Sequence, residues 1–124
     1  GFCNFPDDLG TFGDEETVRS LDPDFKILSG LSSFLGVITT APTSKIGYHF
    51  MSRYFAPRLG INEDHATGSA HCLLGPYWGK KLHKNRLVGF QASPRGGEIR
   101  CELSEDRVFL SGVAETFVRG KMTF

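Results

Sequence analysis

The stretch Asp64-His65-Ala66-Thr67-Gly68-Ser69-Ala70 places a carboxylate, two hydroxyls and a glycine directly before a run with helical spacing. The first N–H groups of a helix have no carbonyl partner within it. Together with the positive end of the helix dipole they form a site for a carboxylate or phosphate. Gly68 lets a ligand approach the backbone, and the hydroxyls of Thr67 and Ser69 can add donors. Asp64, four residues before Gly68, can orient an amine or relay a proton beside the same pocket. Each residue also has a plain structural use, Thr67 or Ser69 as a helix cap and Asp64 as a capping or turn residue.

Other chemistry-bearing residues form weaker patterns. His65, His71 and Cys72 do not fall on one side of a helix, and there is no HExxH or CxxC, so no metal site is expected. Nothing marks Cys72 as an activated thiol, and a Cys packed on a helix is ordinarily inert. Arg95-Gly96-Gly97 has the form of a single RGG unit. In a neutral chain it reads as a tight turn, whose Gly96 and Gly97 also permit close backbone approach to a ligand. Arg53 has two open readings, a partner for a substrate carboxylate or half of an internal ion pair.

The elements that must hold these residues follow from periodicity. Ala70, Leu73, Leu74, Tyr77, Trp78 and Lys81 fall at helical offsets, predicting the longest helix. Pro76, with Gly75, is expected to bend it without ending it, because the apolar stripe stays in register. Two short helices are predicted over 14–21 and 23–31. Strands are predicted over 35–40, 46–55, 87–93, 99–103, 108–110 and 113–118, with a loop at 58–62. Residues 1–13 show no period and are expected to be irregular. The result is an α+β domain, a curved sheet partly wrapping the long helix.

Composition bounds the function. The chain has 124 residues, with 14 basic and 14 acidic side chains, a net charge of zero and 40% hydrophobic residues. This is the size of one domain able to bury a core, and its charge balance argues against nucleic acid and anionic membrane surfaces as partners. No apolar run is long enough to span a bilayer, and the first residues lack the features of a signal peptide. Cys3, Cys72 and Cys101 are an odd set without paired spacing, read as reduced thiols in a cytoplasmic protein. Gly1 stands where an initiator Met would be, consistent with a processed chain, a tag remnant or a fragment.

Four segments occur in a recognisable order: Ser52-Arg53-Tyr54-Phe55-Ala56-Pro57, Glu63-Asp64-His65-Ala66-Thr67-Gly68-Ser69-Ala70-His71, Pro76-Tyr77-Trp78 and Gln91-Ala92-Ser93-Pro94-Arg95-Gly96-Gly97-Glu98. With this order and spacing the chain resembles the C-terminal half of the phenazine-biosynthesis-like, PhzF-type isomerases. The match is good over 35–124, loose over 15–31 and absent over 1–13, so residues 14–124 are taken as one PhzF-like C-terminal lobe.

The resemblance implies a diaminopimelate epimerase-like fold, in which two similar lobes, each a mixed or antiparallel curved sheet, barrel-like, wrapped around one central helix, enclose the active site. It implies that Ser69 and the helix start bind a substrate carboxylate and that Asp64 helps position the substrate. Asp64 stands where the epimerases carry one of two catalytic cysteines, so a two-cysteine racemase mechanism is not expected. The principal acid/base of the family is a glutamate from the N-terminal lobe, to which no part of this chain corresponds. His65 departs from the small residue or proline usual at its position.

The expected function is therefore the substrate-anchoring half of an isomerase that moves a proton at carbon in a small carboxylate-bearing metabolite. Asp64 is the catalytic candidate. Thr67, Gly68 and Ser69 are substrate-binding candidates, and Gly96 and Gly97 are weaker ones at the cleft wall. No cofactor is expected, since side chains alone can move such a proton. The partner is a missing N-terminal lobe or a second copy of the chain. The competing reading is a non-catalytic module that binds a small anion or a protein.

Overall fold

The computed structural model describes residues 8–124. Seven strands form one mixed sheet: β1 (Asp8–Thr11), β2 (Val37–Pro42), β3 (Phe50–Ala56), β4 (Ile61–Asp64), β5 (Arg86–Gln91), β6 (Gly97–Ser104) and β7 (Arg107–Ser111). Their spatial order is β1-β2-β3-β5-β6-β7, with β4 paired to β3 off this path. The β1–β2 and β3–β5 pairs are parallel and the others antiparallel. Parallel neighbours need a crossover, and the one between β3 and β5 contains the long helix α3 (Gly68–Leu82), which lies on the sheet it connects.

Helix α1 (Glu15–Ser20) starts at Asp14, whose carboxylate accepts from the N–H and O–H of Thr17. These bonds hold the Asp14 carboxyl below its ordinary range. Helix α2 (Phe25–Gly30) starts in the same way at Asp24, which accepts from the N–H groups of Lys26 and Ile27.

Alternation along β3 explains how both of its faces are buried. Phe50 and Tyr54 join Leu74 and Trp78 of α3 in the main core, while Met51 points the other way to Val18 and Ala41. Phe50 stacks on Trp78, with ring planes 3° apart and centroids 5.8 Å apart. Side chains of this size each contribute about 1.5–3 kcal/mol when fully buried. The indole Nε1 donates to Thr40 Oγ1, which donates in turn to the Met51 carbonyl, so the polar tip of Trp78 is satisfied within the core.

Pro76 does not interrupt α3, which runs as one helix past it. Gly75 and Gly79 account for its close seat on the sheet. A Cβ on Gly75 would lie 3.3 Å from Cys101 Cβ, and one on Gly79 would collide with Leu103 Cδ1.

Five expectations are corrected. Residues 8–11, within the stretch expected to be irregular, form β1. This strand is recruited by backbone pairing to β2 and needs no alternation of its own, and the rest of that stretch, 1–7, lies outside the described residues. The expected loop at 58–62 contains a 3-10 turn (Pro57–Leu59), Gly60 at φ +83° and the start of β4. The strand expected from residue 46 begins only at Phe50, because a turn with Gly47 at φ +88° precedes it. Residues 113–118 form no strand and are exposed, since β-branched composition makes a strand only where it pairs and packs. The sheet is also open among the described residues, with β1 and β7 as unpaired ends, so the barrel-like closure is not present in them.

Candidate anion-binding site at the start of the long helix

Strand β4 ends on Asp64, residues 65–67 form a tight connection, and α3 begins at Gly68 with Thr67 as its N-cap. The Asp64 carboxylate organises this corner. Its Oδ1 accepts from the His65 N–H at 2.8 Å and its Oδ2 accepts from Thr67 Oγ1 at 2.7 Å. An ionised carboxylate offers about four acceptor directions, so roughly two stay open on a half-buried side chain.

Thr67 is buried, and its polar groups are committed inside the protein. The N–H donates to Gln91 Oε1 at 2.8 Å, and the carbonyl faces His71 Nδ1 at 2.8 Å. Its hydroxyl donates to Asp64 and makes no cap bond to the helix. The N–H groups left without an acceptor four residues back within α3 therefore begin at Gly68 and continue through Ser69 and Ala70. Among the described residues, the Ser69 hydroxyl has no hydrogen-bond partner. A Cβ on Gly68 would touch only Leu110 Cδ1, at 3.8 Å, so there is open space beside the backbone where an anion would approach.

The turn between β5 and β6 closes the other side. Ser93 Oγ donates to the His65 carbonyl at 2.9 Å and accepts from the Gly96 N–H at 3.1 Å. Gly97 lies against the 65–67 connection, since a Cβ there would be 2.9 Å from Ala66 Cβ and 3.2 Å from the His65 carbonyl oxygen. Gly96 adopts φ +74°, which favours glycine, and packs toward Phe90.

The structure thus gathers Asp64, Thr67, Gly68, Ser69 and Gly97 in one corner, with Gly96 one residue further out. Gln91 and Ser93, which tie this corner together, carry no role on sequence grounds. Their signal was a glutamine and a serine at alternate, inward positions at the end of an apolar strand.

Arg53 is placed elsewhere, and all three of its guanidinium nitrogens are engaged within the protein. Its Nε and Nη2 pair with both oxygens of Glu63, at 2.8 and 2.9 Å, and its Nη1 donates to the carbonyls of Val18, Arg19 and Leu21 at the end of α1. Of the two readings of Arg53, the internal ion pair is the one observed.

His71 is fully buried. Because a carbonyl can only accept, its Nδ1 carries the proton toward Thr67, leaving Nε2 without a partner beside Gly89 and Phe50. Burial lowers its pKa, so the ring is neutral near pH 7. Burial pushes the Cys101 thiol up to about 11. Among the described residues no cluster of three His, Cys, Asp or Glu side chains is arranged to hold a metal, and no helix is long and apolar enough to cross a membrane.

Comparisons with known proteins converge on one family. The model of the phenazine biosynthesis-like proteins, PhzC-PhzF, matches residues 11–120. The chain is 45% identical over 108 residues to the uncharacterized isomerase BH0283 of Halalkalibacterium halodurans, a match covering 87% of this chain and 40% of that protein. It is 48% identical over 77 residues to the mouse phenazine biosynthesis-like domain-containing protein 2, covering 61% of this chain and 27% of that one. A crystal structure of a phenazine biosynthesis PhzC/PhzF protein from Clostridium difficile superposes with a TM-score of 0.86 at 41% identity, over 96% of this chain and 45% of that one. A PhzF-family structure from Enterococcus faecalis gives a TM-score of 0.81 at 47% identity, over 89% and 42% respectively. The chain spans less than half the length of each of these relatives.

Proposed function

The chain belongs to the phenazine biosynthesis-like (PhzC-PhzF) family, and from that membership we propose that it supplies the substrate-anchoring half of a PhzF-like isomerase. The sheet and α3 then constitute one lobe of a diaminopimelate epimerase-like fold. The carboxylate of a small metabolite is held by the N–H groups of Gly68, Ser69 and Ala70 and by the Ser69 hydroxyl. The open acceptor directions of Asp64 orient the substrate or relay a proton at a neighbouring carbon. Thr67 acts by aiming Asp64, and Gly96 and Gly97 form the wall. The observation that carries this reading is the open space at Gly68, beside unsatisfied helix N–H groups and next to a half-buried carboxylate.

The remaining acid/base group comes from a complementary lobe or a second copy of the chain. The exposed apolar side chains of Val113, Phe117, Val118, Met122 and Phe124 favour such a partner. The reaction needs no cofactor, because a positioned base and acid can move a proton at carbon.

The test substitutes this chain for the matching segment of the Clostridium difficile relative. The hybrid is then incubated with a panel of small unsaturated carboxylic acids in D2O, with deuterium uptake and double-bond migration read by proton NMR. Turnover that disappears on Asp64→Ala, with unchanged circular dichroism, is the expected result. Turnover unaffected by Asp64→Ala would overturn the role of Asp64, and absence of exchange with the whole panel would favour the non-catalytic anion-binding module.

A further inference from the structure

Gln91 is an amide at a position that the strand pattern reserves for hydrocarbon. Leu87, Gly89 and Gln91 are the inward residues of β5, and Gln91 is 1% exposed. Burying an amide is unfavourable unless its donors and acceptor are all used, and an apolar side chain of similar volume would fill the space at less cost. All of its recorded bonds go to the short segment between β4 and α3. Its Nε2 donates to the Asp64 carbonyl and to Thr67 Oγ1, each at 2.9 Å, and its Oε1 accepts from the Thr67 N–H at 2.8 Å.

These bonds have a direction. Thr67 Oγ1 accepts from Gln91, so its own proton must point elsewhere, and it points to Asp64 Oδ2 at 2.7 Å. A one-way chain therefore runs from the Gln91 amide through the Thr67 hydroxyl to the Asp64 carboxylate. By occupying the Thr67 N–H, Gln91 also leaves the unpaired N–H groups of α3 to begin at Gly68.

We propose that Gln91 is a positioning residue for the carboxylate site, setting the orientation of the Asp64 carboxylate through Thr67 and defining which helix N–H groups face the ligand. This rests on the reading of residues 64–70 as a carboxylate site. Gln91 does not itself touch the ligand, so its effect is transmitted through Asp64 and the first turn of α3.

The experiment uses the full chain and its Gln91→Glu and Gln91→Met variants, with acetate as the probe. In the unaltered protein, NMR is expected to show slowly exchanging Gln91 Nε2 protons, a single Asp64 side-chain rotamer, and shifts of the Gly68, Ser69 and Ala70 amides on adding acetate. Gln91→Glu keeps an acceptor for the Thr67 N–H and, ionised, has no proton for Thr67 Oγ1. Thr67 amide protection should therefore survive while Asp64 becomes rotationally averaged and acetate affinity falls at least tenfold. Gln91→Met should lose both the protection and the affinity.

Folded variants with a fixed Asp64 and undiminished acetate affinity would overturn the positioning role alone. Acetate that leaves the amides of the unaltered protein unmoved would overturn the anion site itself. Should neither variant fold, fast-exchanging Gln91 Nε2 protons or an averaged Asp64 in the unaltered protein would overturn the proposal.

Discussion

Gly68→Ala and Gly97→Ala add the same methyl group at two glycines of one corner, and the surrounding atoms give the two changes opposite effects on stability. At Gly68 the new Cβ meets only Leu110 Cδ1, at an ordinary contact distance of 3.8 Å, and the backbone lies at the first position of a helix. Alanine restricts the unfolded chain more than glycine does, so this variant should be stabilised by about 0.4–1 kcal/mol, a rise in Tm of a few degrees for a domain of this size. On the proposed reading the same methyl takes up space that the bound carboxylate would use. Losing one hydrogen bond to a charged ligand costs about 1.5–3 kcal/mol, so carboxylate affinity should fall roughly 10- to 150-fold. At Gly97 the Cβ would sit 2.9 Å from Ala66 Cβ and 3.2 Å from the His65 carbonyl oxygen, so the 65–67 connection must move. Overpacking of this kind destabilises by about 1–3 kcal/mol. Urea denaturation of both variants, with calorimetric titration of acetate on the folded proteins, measures both effects. A destabilised Gly68→Ala variant, or one that binds carboxylate as well as the parent, would refute the assignment of the open space at Gly68 to a ligand.

Other side chains give independent tests. The lowered pKa of His71 means that the unfolded chain takes up a proton first as pH falls below about 6.5. The stability of the fold should therefore be fully present above that pH and decline below it, by up to about 1.4 kcal/mol per pH unit. In urea midpoints at pH 7.5 and 5.5, His71→Gln should show the smaller loss, and equal losses would contradict this origin. Arg53→Met leaves Glu63 without its bidentate partner and the carbonyls of Val18, Arg19 and Leu21 without their donor. The cost should be about 3–5 kcal/mol, with local exchange of the α1 amides rising first. Cys101, buried and with its thiol raised to about 11, should resist iodoacetamide at pH 8 in the native protein and react only after denaturation, as peptide mass spectrometry would show.

The elements with strong local signals were readable in the chain itself. Acids at the start of 14–21 and the Pro23, Phe25, Leu28 and Gly30 pattern announce the short helices, and Asp14 and Asp24 then satisfy their first N–H groups. The stripe from Ala70 to Lys81 marks α3, with Pro76 tolerated because the helix keeps its apolar face across it. Short strands were harder to read. β1 and β4 are four residues each and exist through pairing with β2 and β3, so neither carries a period long enough to detect. Conversely, Val113 and Val118 lie in a segment with strand-like composition that forms no strand. Arg53 shows the same ambiguity in a side chain: its type suits a substrate carboxylate or an ion pair equally, and only the nearness of Glu63 and the end of α1 separates them.

By itself, the order of residues determined the α+β class, the helix beginning near Gly68, and a corner rich in acidic and hydroxyl groups before that helix. Those properties follow from local backbone preference and from motif spacing along one segment. The tertiary structure decided which polar groups in that corner remain available. Gln91 lies 24 residues beyond Thr67, and Gly97 packs against Ala66 from another strand. Hydrogen-bond satisfaction is a property of atoms brought together in space. The commitment of Thr67 to the interior, while the Gly68 N–H and the Ser69 hydroxyl stay unpaired, is therefore settled only when β5 and β6 fold against the start of α3.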